Sequence, residues 1–342
     1  MTLTARQVQV VSRPDGWPES GDFQLVEVAV PELSDGQLLV RNQFISVDPY
    51  MRGKLNDVRS YTPPYQLNAP MDGGAVGEVV ASRSPERAVG DVVVHQAGWR
   101  DLAVLDAART RRVDVTEAPA SAYLGVLGGT GFTAWVGLTE IAPVRPGETV
   151  FVSAAAGAVG SIAGQVARLR GAAQVVGSAG TPAKLARLRE LGFDAGFDYH
   201  DRPVRERLRE AAPDGIDVYF DNVGGEQLEA AIAALKPFGR VALCGAISVY
   251  NATAAEPPPG PRNLALAVGK QLTLRGFIVT SYGHLRERFD AEMAGWLRTG
   301  QVHYDETVVD GLEHAVDAFL GLLRGENTGK MLVRTAVGTA TA

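Results

Sequence analysis

Hydrophobic and polar positions alternate over 23–30 and 38–46, and the runs at 74–82 and 89–95 have the same short, apolar texture. A period of two puts successive side chains on opposite faces, so these segments predict half-buried strands. Turn signals such as Pro14-Asp15-Gly16 and Ser34-Asp35-Gly36 separate them. From about Tyr123 the pattern changes: apolar runs at 148–153, 174–177, 195–198, 216–222 and 240–245 alternate with stretches of helical character. Strands separated by helices predict a parallel sheet covered on both faces. A run at 272–279 adds an edge strand, and the chain closes on a helix at 312–324 and a strand at 330–335.

One junction carries chemistry. Val150-Phe151-Val152-Ser153-Ala154-Ala155-Ala156-Gly157-Ala158-Val159-Gly160 reads as a buried strand, a glycine turn and a helix start. Ala155-x-Gly157-x-x-Gly160 matches the dinucleotide fingerprint with alanine at its first position. Gly157 lets the backbone approach a pyrophosphate, Gly160 lets the helix pack on its strand, and the helix N-terminus offers N–H donors and a positive dipole end. An Ala/Gly-rich corner alone would give the same string, but a strand precedes it and 161–170 continues as a proline-free helix. Gly160 and Gly164 lie one turn apart, which suits a helix close against a sheet.

The following strand indicates which dinucleotide. A free ribose 2′-hydroxyl calls for Asp or Glu about 20 residues after the glycines, yet neither occurs between Ser161 and Arg189. Gly177, Ser178 and Gly180 lie at the strand end, and Lys184 opens the next helix. A lysine there offers a point charge to a 2′-phosphate that a carboxylate would repel. The cofactor expected is NADP(H).

Composition narrows the class. With 342 residues, two domains are the default expectation. A net charge of −6 gives no basis for binding nucleic acid or an anionic membrane. The arginine-rich run 202–209 is interleaved with Glu206 and reads as a solvated helix face. Cys244 is the one cysteine, so no disulfide forms within the chain and cysteine-based zinc sites are excluded, which suits the cytoplasm. The 1–14 segment lacks the apolar run of a secretory leader. The uncharged stretch 118–139 contains Pro119 and five glycines and reads as a buried crossing between domains rather than a membrane span.

Five strings, in this order, resemble the zinc-independent branch of the medium-chain dehydrogenase/reductase superfamily, which includes prostaglandin reductases, alkenal/one oxidoreductases and bacterial curcumin reductases. They are Val47-Asp48-Pro49-Tyr50-Met51-Arg52-Gly53, Phe220-Asp221-Asn222-Val223-Gly224-Gly225, Cys244-Gly245-Ala246-Ile247-Ser248-Val249-Tyr250-Asn251, Gly276-Phe277-Ile278-Val279 and Asn327-Thr328-Gly329-Lys330. The resemblance implies an α/β chain: a Rossmann doubly wound parallel sheet over 124–299 and a GroES-like β-rich catalytic domain over 1–123 and 300–342. Zinc-dependent relatives carry Gly-His-Glu near the position of Met71-Asp72-Gly73-Gly74, plus a cysteine cluster. Neither is present, and the five histidines show no ligand spacing, so no metal is expected.

The implied reaction is NADPH-dependent reduction of the carbon–carbon double bond of α,β-unsaturated ketones or aldehydes. Hydride addition to the β-carbon builds charge on the carbonyl oxygen, and aimed hydrogen-bond donors stabilise it. Four tyrosines compete to supply the O–H: Tyr50 after Asp48-Pro49, Tyr61 on a loop over the cleft in curcumin-reductase-like members, Tyr250 after the 244–248 turn, and Tyr282. Many eukaryotic members have tyrosine directly after Gly-Phe-Ile-Val; Thr280 stands there in this chain, with Tyr282 two residues on. The resemblance also implies that the cofactor's ribose hydroxyl is a second donor.

For the cofactor, the resemblance assigns Lys184 and Tyr199 to the 2′-phosphate and Asn222 to the adenosine half. Thr133, with backbone around Cys244, Gly245, Ile247, Phe277 and Val279, holds the nicotinamide end. Asn327 and Gly329 reach the phosphates. The loops 56–64 and 250–261 and the turn 280–284 would shape the pocket for a small-molecule substrate, and two copies would pair through the edge strand as a homodimer. A quinone reductase of the same superfamily and a non-catalytic NADPH-binding sensor or structural protein are the alternative functions.

Overall fold

A computed structural model describes residues 3–253 and 255–335. Seven strands come first: β1 (Thr4–Val10), β2 (Phe23–Ala29), β3 (Gln37–Ser46), β4 (Ala75–Ser82), β5 (Val92–His95), β6 (Leu102–Asp106) and β7 (Arg111–Arg112). Then follow β8 (Thr149–Val152), β9 (Gln174–Ala179), β10 (Ala195–Asp198), β11 (Ile216–Asp221), β12 (Leu235–Leu243) and β13 (Thr273–Gly276), and last β14 (Glu306–Asp310) and β15 (Lys330–Arg334). The α-helices are α1 (Tyr50–Lys54), α2 (Gly129–Val136), α3 (Gly160–Leu169), α4 (Pro182–Glu190), α5 (Val204–Ala211), α6 (Gly225–Ala234), α7 (Ala265–Lys270), α8 (Arg286–Arg298) and α9 (Ala315–Leu323). Two compact units result, Met1–Gly125 with Glu306–Ala342, and Val126–Asp305.

In the discontinuous unit, one sheet runs β14-β15-β3-β4-β5-β7 with β6 also on β3, and β1 and β2 form an antiparallel pair. Its core gathers Val8, Ile45, Met51, Trp99 and Phe319, with the Trp99 and Phe319 rings edge to face at 6.1 Å. The strand β15 arrives from the far end of the sequence and pairs antiparallel with β3.

In the contiguous unit, six parallel strands run β10-β9-β8-β11-β12-β13. Counted within the unit this is 3-2-1-4-5-6, the doubly wound order that reverses between β8 and β11. Strand parity assigns the faces. Phe151, Val176 and Tyr219 share a cluster with Val204 and Leu208 of α5 and Ala230 and Ala231 of α6. A Cβ on Gly177, the neighbour of Val176, would stand 2.8 Å from Leu188 of α4, so α4 covers the opposite face. β8 is buried throughout, as a central parallel strand must be.

Several boundaries differ from the sequence expectation. β12 begins at Leu235 rather than 240, because Ile216 pairs with Leu235 and Val218 with Arg240, and the residues between bulge outward with Phe238 exposed. Pro237 and Gly239 make that bulge read as a turn. The edge strand ends at Gly276, and 279–285 is a 3-10 helix. The 312–324 helix divides into a 3-10 turn and α9. β1, β6, β7 and β14 carry no expectation from the alternation pattern. No described helix is long and apolar enough to cross a membrane.

Candidate cofactor and active site

The turn after β8 packs as its glycines require. A Cβ on Gly160 would lie 2.4 Å from the Ala154 carbonyl oxygen, and one on Gly164 would enter the Phe193 ring at 2.0 Å. The helix therefore starts against the strand end, with Ala156, Gly157, Ala158 and Val159 forming the bend ahead of α3. Ser161 N–H donates back to the Gly157 carbonyl and Gly157 N–H to the Ala154 carbonyl, each at 3.0 Å, so the bend is ordered, and the positive end of the helix dipole on it fits a pyrophosphate.

At the end of β9, α4 is capped by Thr181, whose hydroxyl oxygen accepts from the Lys184 N–H at 3.3 Å, and Pro182 occupies the first helical position. Lys184 thus sits in the first turn, where the helix dipole disfavours a cation. Burial lowers the pKa of its ammonium further. A bound anion would offset both costs. Gly180 lets two side chains pack against the strand end: a Cβ there would come 2.9 Å from the Tyr199 hydroxyl and 2.9 Å from the His200 ring. Burial, then the neighbouring Asp198 carboxylate, raises the Tyr199 pKa, so its O–H stays a donor. Glycine, lysine and tyrosine together fit a phosphate monoester.

The reversal between β8 and β11 is stitched by side chains. The Asn222 N–H donates to Ser153 Oγ at 2.9 Å, and Asn222 Nδ2 donates to the Ser153 carbonyl at 2.8 Å. The amide of Asn222 is therefore engaged at the strand ends. Asp221, absent from the sequence-based candidates, organises the turn: its Oδ1 accepts from Val223 and Gly224 N–H at 2.9 and 2.8 Å and from the Tyr219 hydroxyl at 2.7 Å. Its carbonyl accepts from Cys244 and Gly245 N–H, while Ile247 N–H donates to the Asn222 carbonyl. Burial, with Asp221 next, pushes the Cys244 thiol up to about 12, so it stays protonated and inert.

Thr133 lies on α2 and donates its hydroxyl to the Gly129 carbonyl at 2.8 Å. Phe277 and Val279 follow β13, with the Phe277 ring edge to face with Tyr282 at 6.4 Å. In the other unit, Asn327 is buried and donates from Nδ2 to the Gly329 carbonyl at 2.7 Å, closing its own turn.

The four tyrosines occupy separate settings. Tyr50 opens α1 and packs against the core. Burial raises its pKa far above the ordinary value, and Asp48, Asp72 and Tyr61 add to the effect. Tyr61 is 64% exposed on the loop that follows. Tyr250 accepts at its hydroxyl from the Ala246 N–H at 3.3 Å. Tyr282 accepts from Arg275 Nη2 at 3.0 Å, beside the edge strand. Of the expected pocket loop 250–261, residue 254 lies outside the described residues.

The turn that presents Tyr50 holds a further group, Lys330, unmarked by any signal beyond the Asn-Thr-Gly-Lys string. Its ammonium is buried and donates to the Val47 carbonyl at 2.7 Å, the Met331 carbonyl at 2.9 Å and Asp48 Oδ1 at 3.1 Å. Ser46 Oγ donates to the other Asp48 oxygen. Among the described residues, no group of three or more His, Cys, Asp or Glu is arranged to hold a metal ion.

Residues 6–113 match a family model described as the N-terminal domain of oxidoreductase, and 158–298 match one described as zinc-binding dehydrogenase. The chain is 41% identical to an NADPH-dependent curcumin reductase of Escherichia coli, covering 97% of each chain. It is 41% identical to prostaglandin reductase 1 of Bos taurus over 93% of this chain and 95% of that one. It is 37% identical to an NADP(+)-dependent 2-alkenal reductase of Nicotiana tabacum, covering 97% of each. Among solved structures, CurA from Vibrio vulnificus in complex with NADPH superposes with a TM-score of 0.91 at 39% identity, covering 97% of this chain and all of the other.

Proposed function

The chain belongs to the zinc-independent branch of the medium-chain dehydrogenase/reductase superfamily, and on that premise we propose that it is an NADPH-dependent reductase of α,β-unsaturated ketones and aldehydes. One observation carries the reading: relatives alike over nearly the whole chain are named for reducing curcumin and 2-alkenals, and both compounds hold a double bond conjugated to a carbonyl. NADPH, when bound, supplies the hydride that adds to the β-carbon.

The residues of this chain do the rest. Lys184 and Tyr199 bind the 2′-phosphate at the Gly180 strand end, and the 156–160 bend receives the pyrophosphate. Asn222, the 244–247 turn, Thr133, Phe277 and Val279 hold the remainder of the cofactor. Charge develops on the substrate's carbonyl oxygen and needs a donor that never ionises in the working range. Tyr50 meets that requirement, because burial and two carboxylates keep its proton in place; Tyr61, Tyr250 and Tyr282 are the competing donors. Replacing each by phenylalanine sorts them: Tyr50→Phe should lower kcat about 100-fold, the scale of one lost oxyanion donor, and an unchanged kcat transfers the role to whichever variant does fall.

We further propose a cytoplasmic homodimer. The strand β13 ends its sheet, and Leu264, Val268 and Ile278 nearby are exposed. Pairing two such edges would satisfy their backbone groups. Sedimentation of the chain over a range of concentrations tests it: a monomer throughout would overturn it.

Incubation with NADPH and 2-alkenals, cyclic enones, curcumin or quinones, followed by product mass, tests the activity. A product two hydrogens heavier and saturated beside the carbonyl is expected. Consumption of quinones alone would sink the enone reading, and tight NADPH binding without turnover of any of them would leave a non-catalytic role. Lys184→Ala should weaken NADPH about 10- to 100-fold, the worth of a charge-assisted hydrogen bond, with NADH nearly unchanged.

A further inference from the structure

Asp198 is a carboxylate at the tip of β10, next to Tyr199, and it acts electrostatically on the Tyr199 hydroxyl. Left bare, it would repel the phosphate that Lys184 and Tyr199 are placed to hold. It is not bare. Its Oδ1 accepts from the His200 N–H at 2.9 Å and faces His200 Nδ1 at 3.2 Å. The His200 ring is tilted against the Tyr199 ring with centroids 4.1 Å apart, and its Cε1 packs against Gly180 as the Tyr199 hydroxyl does.

We infer that His200 is a further determinant of cofactor choice: it masks Asp198 through Nδ1 and presents its far edge to the 2′-phosphate. The 3.2 Å approach of Nδ1 to Asp198 sets that nitrogen on the carboxylate side and leaves Nε2 as the ligand-side atom. A carboxylate turned toward a ribose 2′-hydroxyl would favour NADH; tied to His200, the same carboxylate supports a phosphate-binding imidazole. His200 is exposed, so replacing it leaves the core intact. The inference rests on the NADPH reading, and the test separates the two.

Calorimetry with 2′,5′-ADP and with 5′-ADP isolates the 2′-phosphate without any turnover. His200→Ala should weaken 2′,5′-ADP about 3- to 10-fold, the scale of a partly exposed charged hydrogen bond, and leave 5′-ADP within about twofold. Asp198→Asn placed on top should recover most of that loss, and His200→Arg, which supplies ring-like planar N–H donors, should retain the preference. An equal loss on both nucleotides, no loss on 2′,5′-ADP, or a loss that Asp198→Asn does not relieve overturns the role of His200. If Lys184→Ala abolishes a clear wild-type preference while His200→Ala does not, only the histidine's role falls. If the wild type shows no preference for 2′,5′-ADP, both readings fall together.

Discussion

At the carboxyl edge of the parallel sheet the turns are held largely by main-chain groups gathered around one carboxylate and one serine: Asp221 takes two turn N–H groups, and Ser153 takes that of Asn222. The turn that presents Tyr50 is held instead by ammonium groups taken out of water. Lys330 bridges Val47 and Asp48, and Lys54 pairs with Asp72 while lying 4.3 Å from the centroid of the Tyr65 ring. Main-chain donors keep their direction whatever side chains surround them, which suits recognition of a constant ligand. Burial, then the Asp48 and Asp72 carboxylates, acts on one phenol, and the buried Lys330–Asp48 pair is expensive to leave half-made.

The sharpest way to break this contrast is Lys330→Met. It strands Asp48 and two carbonyls without their donor, so unfolding free energy should drop by about 3–5 kcal/mol, read from denaturant titration. Adding Asp48→Asn should return part of it. A midpoint that does not move would make the ion pair dispensable and the comparison empty.

A second test stays in the same unit. His95 is buried, and its Nδ1 accepts from the Ala97 N–H at 3.0 Å. Burial, then the Arg100 charge, pushes it down from 6.5 to about 4. The unfolded chain therefore binds the proton first: the stability from keeping His95 neutral is complete above pH 6.5 and drains away as pH falls toward 4. The loss should approach about 3 kcal/mol. His95→Asn, which keeps an acceptor but does not titrate, should flatten that part of the profile; equal slopes in both proteins would refute the assignment.

The smallest effect belongs to the other region. Thr181→Ala removes the cap of α4 and should cost about 1 kcal/mol. Because the cap bonds the N–H of Lys184 itself, NADPH affinity should weaken more than NADH affinity. Equal weakening would mean that the cap serves the helix and not the phosphate site.

The same contrast decides what the chain discloses before folding. The glycine bend, the absent acid and Lys184 lie within one βαβ stretch, so local spacing carries them, and the family strings extend the reading to Asn222 and the 244–247 turn. The Lys330–Asp48 pair joins residues 282 apart, and no periodicity encodes such a meeting. Asp221 stands in a family string but reads as a strand terminus, because its work is done by a side chain folding back on its own turn. His200 sat beside a recognised tyrosine, yet its partnership with Asp198 emerges only once β10 ends at that carboxylate. The bulge in β12 was hidden by Pro237 and Gly239, which mimic a turn.

The late arrival of β15 also bears on how the molecule is made. A ribosome releases β3 long before β15, which lies between β14 and β3 in the finished sheet. Until the last strands emerge, the Phe44–Ser46 end of β3 lacks its β15 partner, and the pocket for the Lys330 ammonium has no occupant. The contiguous unit, by contrast, has all six strands available beforehand. Synthesis therefore favours a nascent chain whose nucleotide half is formed while its tyrosine half waits, and nascent chains arrested before residue 330 should display that asymmetry as protease sensitivity confined to the first unit.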